Sequence, residues 1–273
     1  MDKIIKEIEP TIYKSKKNIA KGNVFYFHGG GLLFGTKEDL PSYHIDRITE
    51  SGYNIYSFNY PLAPETKLPE IMDFIVKEIN TFQKKTKLPY FLWGRSAGAY
   101  LSLLAPLKGL DKKPSGIISY YGYGFLTSDW YKLPNSHYLK YQGIDKSMAD
   151  SLIQDKKIYS YPVYPRFLLY LYTRQKGNWI DHVWDGSMVD FLKEYSLNDR
   201  DLSGYPPTFL AHGRKDPDVP FEESIKLSKL IKNSEFHSFT TDEHDFDRDV
   251  NNKNTLDLLD KTITFLNKYV IIN

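Results

Sequence analysis

Cysteine is missing from all 273 residues, which removes disulfides, thiolate metal sites and a cysteine nucleophile. An excess of either charge is missing too: 36 Lys and Arg stand against 34 Asp and Glu, for a formal net charge of +2. That balance gives no reason to expect nucleic acid or an anionic membrane surface as a partner. No segment approaches the ~20 consecutive apolar residues of a membrane span. The N-terminal stretch MDKIIKEIEPTIYKSKK has no continuous apolar run of the kind a signal peptide needs. A cytoplasmic location is expected. Repeats and low-complexity tracts are absent as well. What the chain does have is aromatic residues, 22 Tyr, 16 Phe and 4 Trp, many of them in its middle third. The length suffices to bury a sizeable core in one large α/β domain or two small ones.

Short apolar runs alternate with longer periodic ones, the pattern of βαβ units around a mostly parallel sheet. The runs Val24–Phe27, Ile55–Asn59, Tyr90–Trp93, Gly116–Tyr121, Thr208–Ala211 and Phe236–Thr240 are aromatic or β-branched and bounded by Gly, Pro or Asn. Parallel strands buried on both faces read this way. Between them, Pro69–Phe82 carries Ile71, Ile75, Ile79 and Phe82 at helical spacing, one buried stripe. Thr255–Val270 repeats this with Leu256, Leu259, Ile263, Leu266 and Val270, and Ser96–Leu104 and Phe221–Ile231 are further helices. The alternation stops between Phe125 and Gly204. That stretch predicts helices around Lys146–Gln154, Pro165–Thr173 and Ser187–Tyr195 and holds many of the aromatics. It is expected to be a helical cap, residues 125–204, inserted between two parts of one core, residues 1–124 and 205–273.

Four loops carry chemistry. Gly94-Arg95-Ser96-Ala97-Gly98 follows a strand and opens a helix, the context of a nucleophile elbow. Its glycines let two chain arms approach without Cβ clashes, and Ser96 is left projecting at a helix N-terminus. His28-Gly29-Gly30-Gly31 ends another strand. The N–H groups of Gly29 and Gly30, with that of Ala97, are candidates to hold an oxyanion, while His28 is expected to brace the loop. The spacing fits neither a P-loop nor a dinucleotide fingerprint.

His212-Gly213-Arg214-Lys215-Asp216-Pro217-Asp218 follows a strand and offers two carboxylates at the sheet's C-terminal edge. Asp216 comes first after the turn and is preferred, with Asp218 expected to be a solvated turn acid. Asp242-Glu243-His244-Asp245 follows the last strand. His244 there is positioned to pass a proton between Ser96 and Asp216. His237 lies inside the strand and is expected to be turned into the core or toward a covering helix.

Together these segments resemble the hormone-sensitive-lipase group of esterases in the α/β-hydrolase superfamily. His28-Gly29-Gly30-Gly31-Leu32-Leu33-Phe34-Gly35 looks like that group's oxyanion motif, and Tyr60-Pro61-Leu62-Ala63-Pro64-Glu65 its Tyr-Arg-Leu-Ala-Pro-Glu segment. Gly94–Gly98 is similar to its Gly-Asp-Ser-Ala-Gly elbow. The resemblance implies the α/β-hydrolase fold, with Ser96 as nucleophile, His244 as base and Asp216 as acid. It also implies an oxyanion hole made by Gly29, Gly30 and Ala97. Arg95 and Pro61 depart from the group's pattern, and His28 comes too early for N-terminal cap helices, so the insertion is expected to supply the lid. Arg95 is expected to form a salt bridge to that cap.

The implied activity is hydrolysis of a small-molecule ester of small to medium apolar groups through an acyl-enzyme, with no cofactor and no metal. Two alternatives stand beside it. The loop from His212 to Pro220 also looks like the acid loop of prolyl-oligopeptidase-type peptidases, which leaves amide substrates open. A ligand-binding member of the fold without chemistry, like the gibberellin receptors, is the other.

Overall fold

The computed structural model describes residues 6–126, 128–202 and 204–270. Seven strands form one sheet: β1 (Thr11–Tyr13), β2 (Gly22–Phe27), β3 (Tyr53–Phe58), β4 (Tyr90–Arg95), β5 (Gly116–Tyr120), β6 (Thr208–Gly213) and β7 (Ser234–Phe239). Their order is β1-β3-β2-β4-β5-β6-β7. β1 is antiparallel to β3, and every other pairing is parallel. All six expected strands are present, and β2 to β6 are buried along their whole length. β1 is a three-residue edge strand that the sequence pattern does not announce.

Alternation along the strands sends side chains to two cores. Phe25, Phe27, Leu92, Ile117 and Leu210 pack with helices α2 (Leu68–Thr86) and α3 (Ala97–Leu104) on one face. Val24, Tyr26, Phe91, Trp93 and Phe209 pack on the other with α1 (Ser42–Glu50) and α9 (Lys253–Tyr269). Of the stripe expected on α2, Ile71, Ile75 and Ile79 are buried, extended by Leu68 and Met72, and Phe82 is half-buried. On α9 the buried face is Leu258, Leu259, Phe265 and Leu266, whereas Leu256 is exposed. α1 was not expected; it buries only His44, Ile48 and Thr49 and so lacks a clear apolar stripe.

Between β5 and β6 the chain forms α4 (Lys146–Ser151), α5 (Val163–Lys176), α6 (Trp179–Val183) and α7 (Met188–Tyr195), with no strand among the described residues. A single bridge, Gly35 to Tyr161, ties this segment to the loop after β2. α8 (Phe221–Leu230) returns the chain to β7. Two buried ion pairs clamp the helical segment down. Arg166 in α5 donates to both oxygens of Glu65 at 2.8 and 2.5 Å, and Arg174 donates to Asp218 at 3.1 Å. Among the described residues, no helix is long and apolar enough to cross a membrane.

Candidate active site

β4 ends at Arg95 and α3 begins at Ala97, so the whole reversal of the chain falls on Ser96. Its backbone takes φ 51° and ψ −118°, a region that costs a non-glycine residue about 1–3 kcal/mol and recurs at functional sites. The flanking glycines make the turn possible. A Cβ on Gly94 would lie 2.1 Å from the Gly98 carbonyl, and one on Gly98 would lie 2.1 Å from the Phe27 carbonyl oxygen. Both are backbone clashes, which no rotamer change relieves. Gly98→Ala is therefore expected to destabilise the fold by about 1–3 kcal/mol, as overpacking does, in urea denaturation. It should also cost activity, because the same Cβ would press on the His28 carbonyl, 2.4 Å away.

Three loops at the carboxyl ends of β4, β6 and β7 meet at this turn. His244 Nε2 lies 2.9 Å from Ser96 Oγ, and His244 Nδ1 lies 2.7 Å from Asp216 Oδ2. A carboxylate only accepts hydrogen bonds. In the neutral ring the proton is therefore on Nδ1, and the Nε2 lone pair faces the serine hydroxyl. Asp216 is itself held firmly: its Oδ1 accepts from the N–H groups of Asp218 and Val219 at 2.8 and 3.0 Å. His212 Nε2 stands 3.1 Å from Asp216 Oδ2, while its Nδ1 accepts from the Ser224 hydroxyl at 2.7 Å. Burial alone would raise the pKa of Asp216, but the two imidazoles outweigh it and hold the carboxyl well below its ordinary 3.8. Burial likewise opposes charge on His244, and the Asp216 carboxylate, aided by Asp218 and Asp245, overcomes it and pushes the imidazole up to about 9.

The glycine loop lies directly against this pair. A Cβ on Gly29 would be 3.3 Å from that of Ser96, so the loop backbone passes beside Ser96. Gly30 and Gly31 take φ values of +98° and +59°, which glycine adopts without strain. The N–H of Ala97, in the first turn of α3, has no carbonyl four residues back to bond. The expected role of His28 fits its contacts. It is buried, its Nδ1 lies 2.8 Å from the Gly29 carbonyl, and its ring stacks on Tyr60 at 4.2 Å. The Tyr60 hydroxyl donates to the His28 carbonyl at 2.8 Å, so the Tyr60–Glu65 segment braces the glycine loop.

A family model described as alpha/beta hydrolase fold matches residues 24–248. The chain belongs to the α/β-hydrolase family. A Staphylococcus aureus Mu50 protein of unknown function has a structure similar to this one. The two are 35% identical with a TM-score of 0.89, over 96% of this chain and 94% of that one. An α/β-hydrolase superfamily protein from Enterococcus faecalis is 29% identical with a TM-score of 0.84, over 94% of each chain. A hormone-sensitive lipase from a metagenome library shares the fold at 19% identity, TM-score 0.64, over 97% of this chain and 85% of its own. Among curated proteins, a non-reducing polyketide synthase of Penicillium brasilianum is 24% identical over 296 residues. That match takes in 84% of this chain, and the chain spans 12% of the synthase.

In this α/β-hydrolase a cleft of about 640 Å³ opens over Ser96 and His244. Its lining includes apolar Phe34, Tyr138, Tyr141, Val163 and Phe167 and charged Asp242, Glu243, Asp245 and Arg248. Two expectations about its neighbours are corrected. Asp218 is not a solvated turn acid. It is buried, accepts from Tyr170 Oη at 2.7 Å and from Arg174 Nε at 3.1 Å, and lies 4.0 Å from His244 Nε2. Arg95 does form a salt bridge, but not to the helical segment: its Nη2 donates to Asp247 at 2.7 Å, in the loop just past His244.

Tyr121 is a site residue the sequence reading passed over. Its hydroxyl accepts from Arg95 Nε at 2.8 Å and donates to Asp247 at 2.7 Å, and its ring meets that of His244 edge-on at 4.7 Å. Its position just past β5 was the one available signal. His237 stays in β7, beside Phe209 at 4.9 Å. Among the described residues, no group of three or more His, Cys, Asp or Glu is placed to hold a metal ion.

Proposed function

We propose that the protein is a serine carboxylesterase acting through an acyl-enzyme, with Ser96 as nucleophile, His244 as general base and acid, and Asp216 as the group that orients it. The observation that carries this reading is the unbroken relay of 2.9 and 2.7 Å contacts from Ser96 through His244 to Asp216. Ser96 Oγ bonds to the ester carbonyl carbon while its proton passes to His244 Nε2. The carbonyl π electrons move onto oxygen, which the N–H groups of Gly29, Gly30 and Ala97 stabilise; one such donor is worth about 2.7–4 kcal/mol. Collapse breaks the bond to the alcohol oxygen, which leaves with the proton from His244 Nε2. Water then attacks the acyl-enzyme by the same route, giving the acid and restoring Ser96. Throughout, Asp216 stays ionised and stabilises the imidazolium.

The helical segment 125–204 serves as the cap over this site, held by the pairs Arg166–Glu65 and Arg174–Asp218. Phe34, Tyr138, Tyr141 and Phe167 in the cleft lining support an ester that carries an apolar group.

The direct test mixes the protein with a fluorophosphonate probe and, separately, p-nitrophenyl acetate. Labelling of the Ser96 peptide together with ester turnover is the expected result. A folded protein that neither labels nor turns over ester would make it a ligand-binding member of the fold. Faster cleavage of peptide anilides than of esters would favour the peptidase reading.

A further inference from the structure

Ser96 faces not one cavity but two. Besides the wide cleft, a second cavity of about 10 Å³ also reaches it, sharing Gly31 and Tyr170 with the cleft and walled beyond them by Tyr123, Trp130, Trp179, Arg174 and Val219. A space of that size takes little more than one water-sized group. Resting on the serine-hydrolase reading above, we infer that the site is built for acetate esters of bulky alcohols. The acyl substituent enters the narrow aromatic cavity, and the leaving group occupies the wide cleft.

The position of the general acid fixes this assignment. When the tetrahedral intermediate collapses, the departing oxygen must take its proton from His244 Nε2, so the alcohol lies beside His244. His244 lines the wide cleft and does not line the narrow cavity. With the carbonyl oxygen turned to Gly29, Gly30 and Ala97 and the alcohol beside His244, the narrow cavity on Ser96 is left for the remaining substituent on the carbonyl carbon, and a methyl group is close to the size that fits.

The walls cannot easily give way to a longer chain. Trp179 is buried, and its indole N–H donates to the Gly31 carbonyl at 2.7 Å, tying the wall to the glycine loop. Trp130 donates to Glu223 at 3.3 Å and carries the Arg174 guanidinium over its ring at 5.2 Å. Arg174 is in turn fixed on Asp218. Tyr123 stacks on Tyr100 at 4.7 Å and meets Trp130 edge-on at 5.2 Å. Trp130, Arg174 and Tyr123 are each held by a partner outside the cavity and Trp179 by the glycine loop, so extra methylenes meet a preorganised wall. The wide cleft has no such restriction and presents Phe34, Tyr138 and Phe167 to a flat or bulky alcohol.

The test is a series of p-nitrophenyl acetate, butyrate, hexanoate and octanoate with wild type, Trp130→Ala, Trp179→Ala and Ser96→Ala, plus 1-naphthyl acetate for the leaving group. One methylene in a fitted pocket is worth roughly 10–200-fold. Wild type is expected to favour acetate over butyrate by about 10²-fold or more in kcat/KM, and to accept 1-naphthyl acetate as well as p-nitrophenyl acetate. Trp130→Ala should bring butyrate and hexanoate up towards acetate, so that the acetate-to-butyrate ratio in kcat/KM falls about tenfold or more. Glu223 keeps its bonds to the N–H groups of Gly124 and Phe125 in that variant, so its anchor survives. Butyrate or hexanoate turned over as fast as acetate by wild type, with the activity lost in Ser96→Ala, overturns this inference and leaves the hydrolase reading standing. A folded wild type with no Ser96-dependent turnover of any ester overturns both. The wild-type series decides the matter even if neither tryptophan variant folds.

Discussion

Ser96→Ala is expected to lower kcat by about 10⁶, His244→Ala by a similar factor and Asp216→Ala by about 10⁴, in single-turnover or steady-state ester hydrolysis. The ordering follows from the geometry. In the proposed mechanism only Ser96 and His244 touch the reacting atoms, while Asp216 acts through the imidazole 2.7 Å away. Pairing Ser96→Ala with His244→Ala should cost no more than either alone, because the two residues act as one unit. His237→Ala, in β7, should stay within a few-fold of wild type. The pH profile supplies a second readout. Attack requires the unprotonated imidazole, so kcat/KM rises with pH through the His244 pKa. Burial lowers that pKa, and Asp216 more than reverses it, taking the value from 6.5 to about 9. The rising limb should therefore lie on the alkaline side of 6.5. In Asp216→Asn the opposing carboxylate is gone, burial remains, and the limb should move to lower pH on a much reduced rate. A wild-type limb centred below 6.5 would contradict the charge arrangement described here.

The grouping of Ser96, His244 and Asp216 was legible because each follows its own strand, and strands of this kind announce themselves as short aromatic or β-branched runs. Buried on both faces, β2 to β6 have no polar alternation to confuse them with surface helices. β1 has three residues at the sheet edge and presents no such run. Helix α1 was missed because only three of its positions are buried and two of those are His44 and Thr49. Within the site, the choice of Asp216 over Asp218 was available from loop position, but the fate of Asp218 was not. Its partners Tyr170 and Arg174 lie 48 and 44 residues upstream. Asp247 is 152 residues from Arg95. Local patterns carry turns and strands; they do not carry ion pairs closed by the fold. For the same reason the aromatic richness of residues 125–204 was visible, yet not that Trp130 and Trp179 wall a cavity on Ser96.

Asp247→Ala is expected to destabilise the protein by about 3–5 kcal/mol in urea denaturation, the usual result of removing one partner from a buried ion pair. Arg95 and Asp247 are both fully buried, and the carboxylate also takes hydrogen bonds from Tyr121 and from His44, the latter at 3.0 Å. Burial alone would raise the Asp247 pKa, but Arg95 and His44 outweigh it and hold the group well below its ordinary 3.8. A depressed folded pKa contributes stability that is present above the unfolded value and lost as pH falls. The difference between wild type and Asp247→Ala should accordingly shrink below about pH 4. Arg95→Met strands the carboxylate instead and should cost a comparable amount. Arg95→Met combined with Asp247→Leu removes both charges, and most of the stability should return, since apolar replacement of a buried pair is often neutral. Activity should not return with it. In the double variant the Tyr121 hydroxyl loses Arg95 and Asp247 together, and with them the anchor of the ring that packs edge-on against His244. A double variant that regained full kcat would reduce the pair to a structural role. Recovered stability with depressed kcat would instead show that the buried charges beneath the elbow act on the reaction by positioning the imidazole.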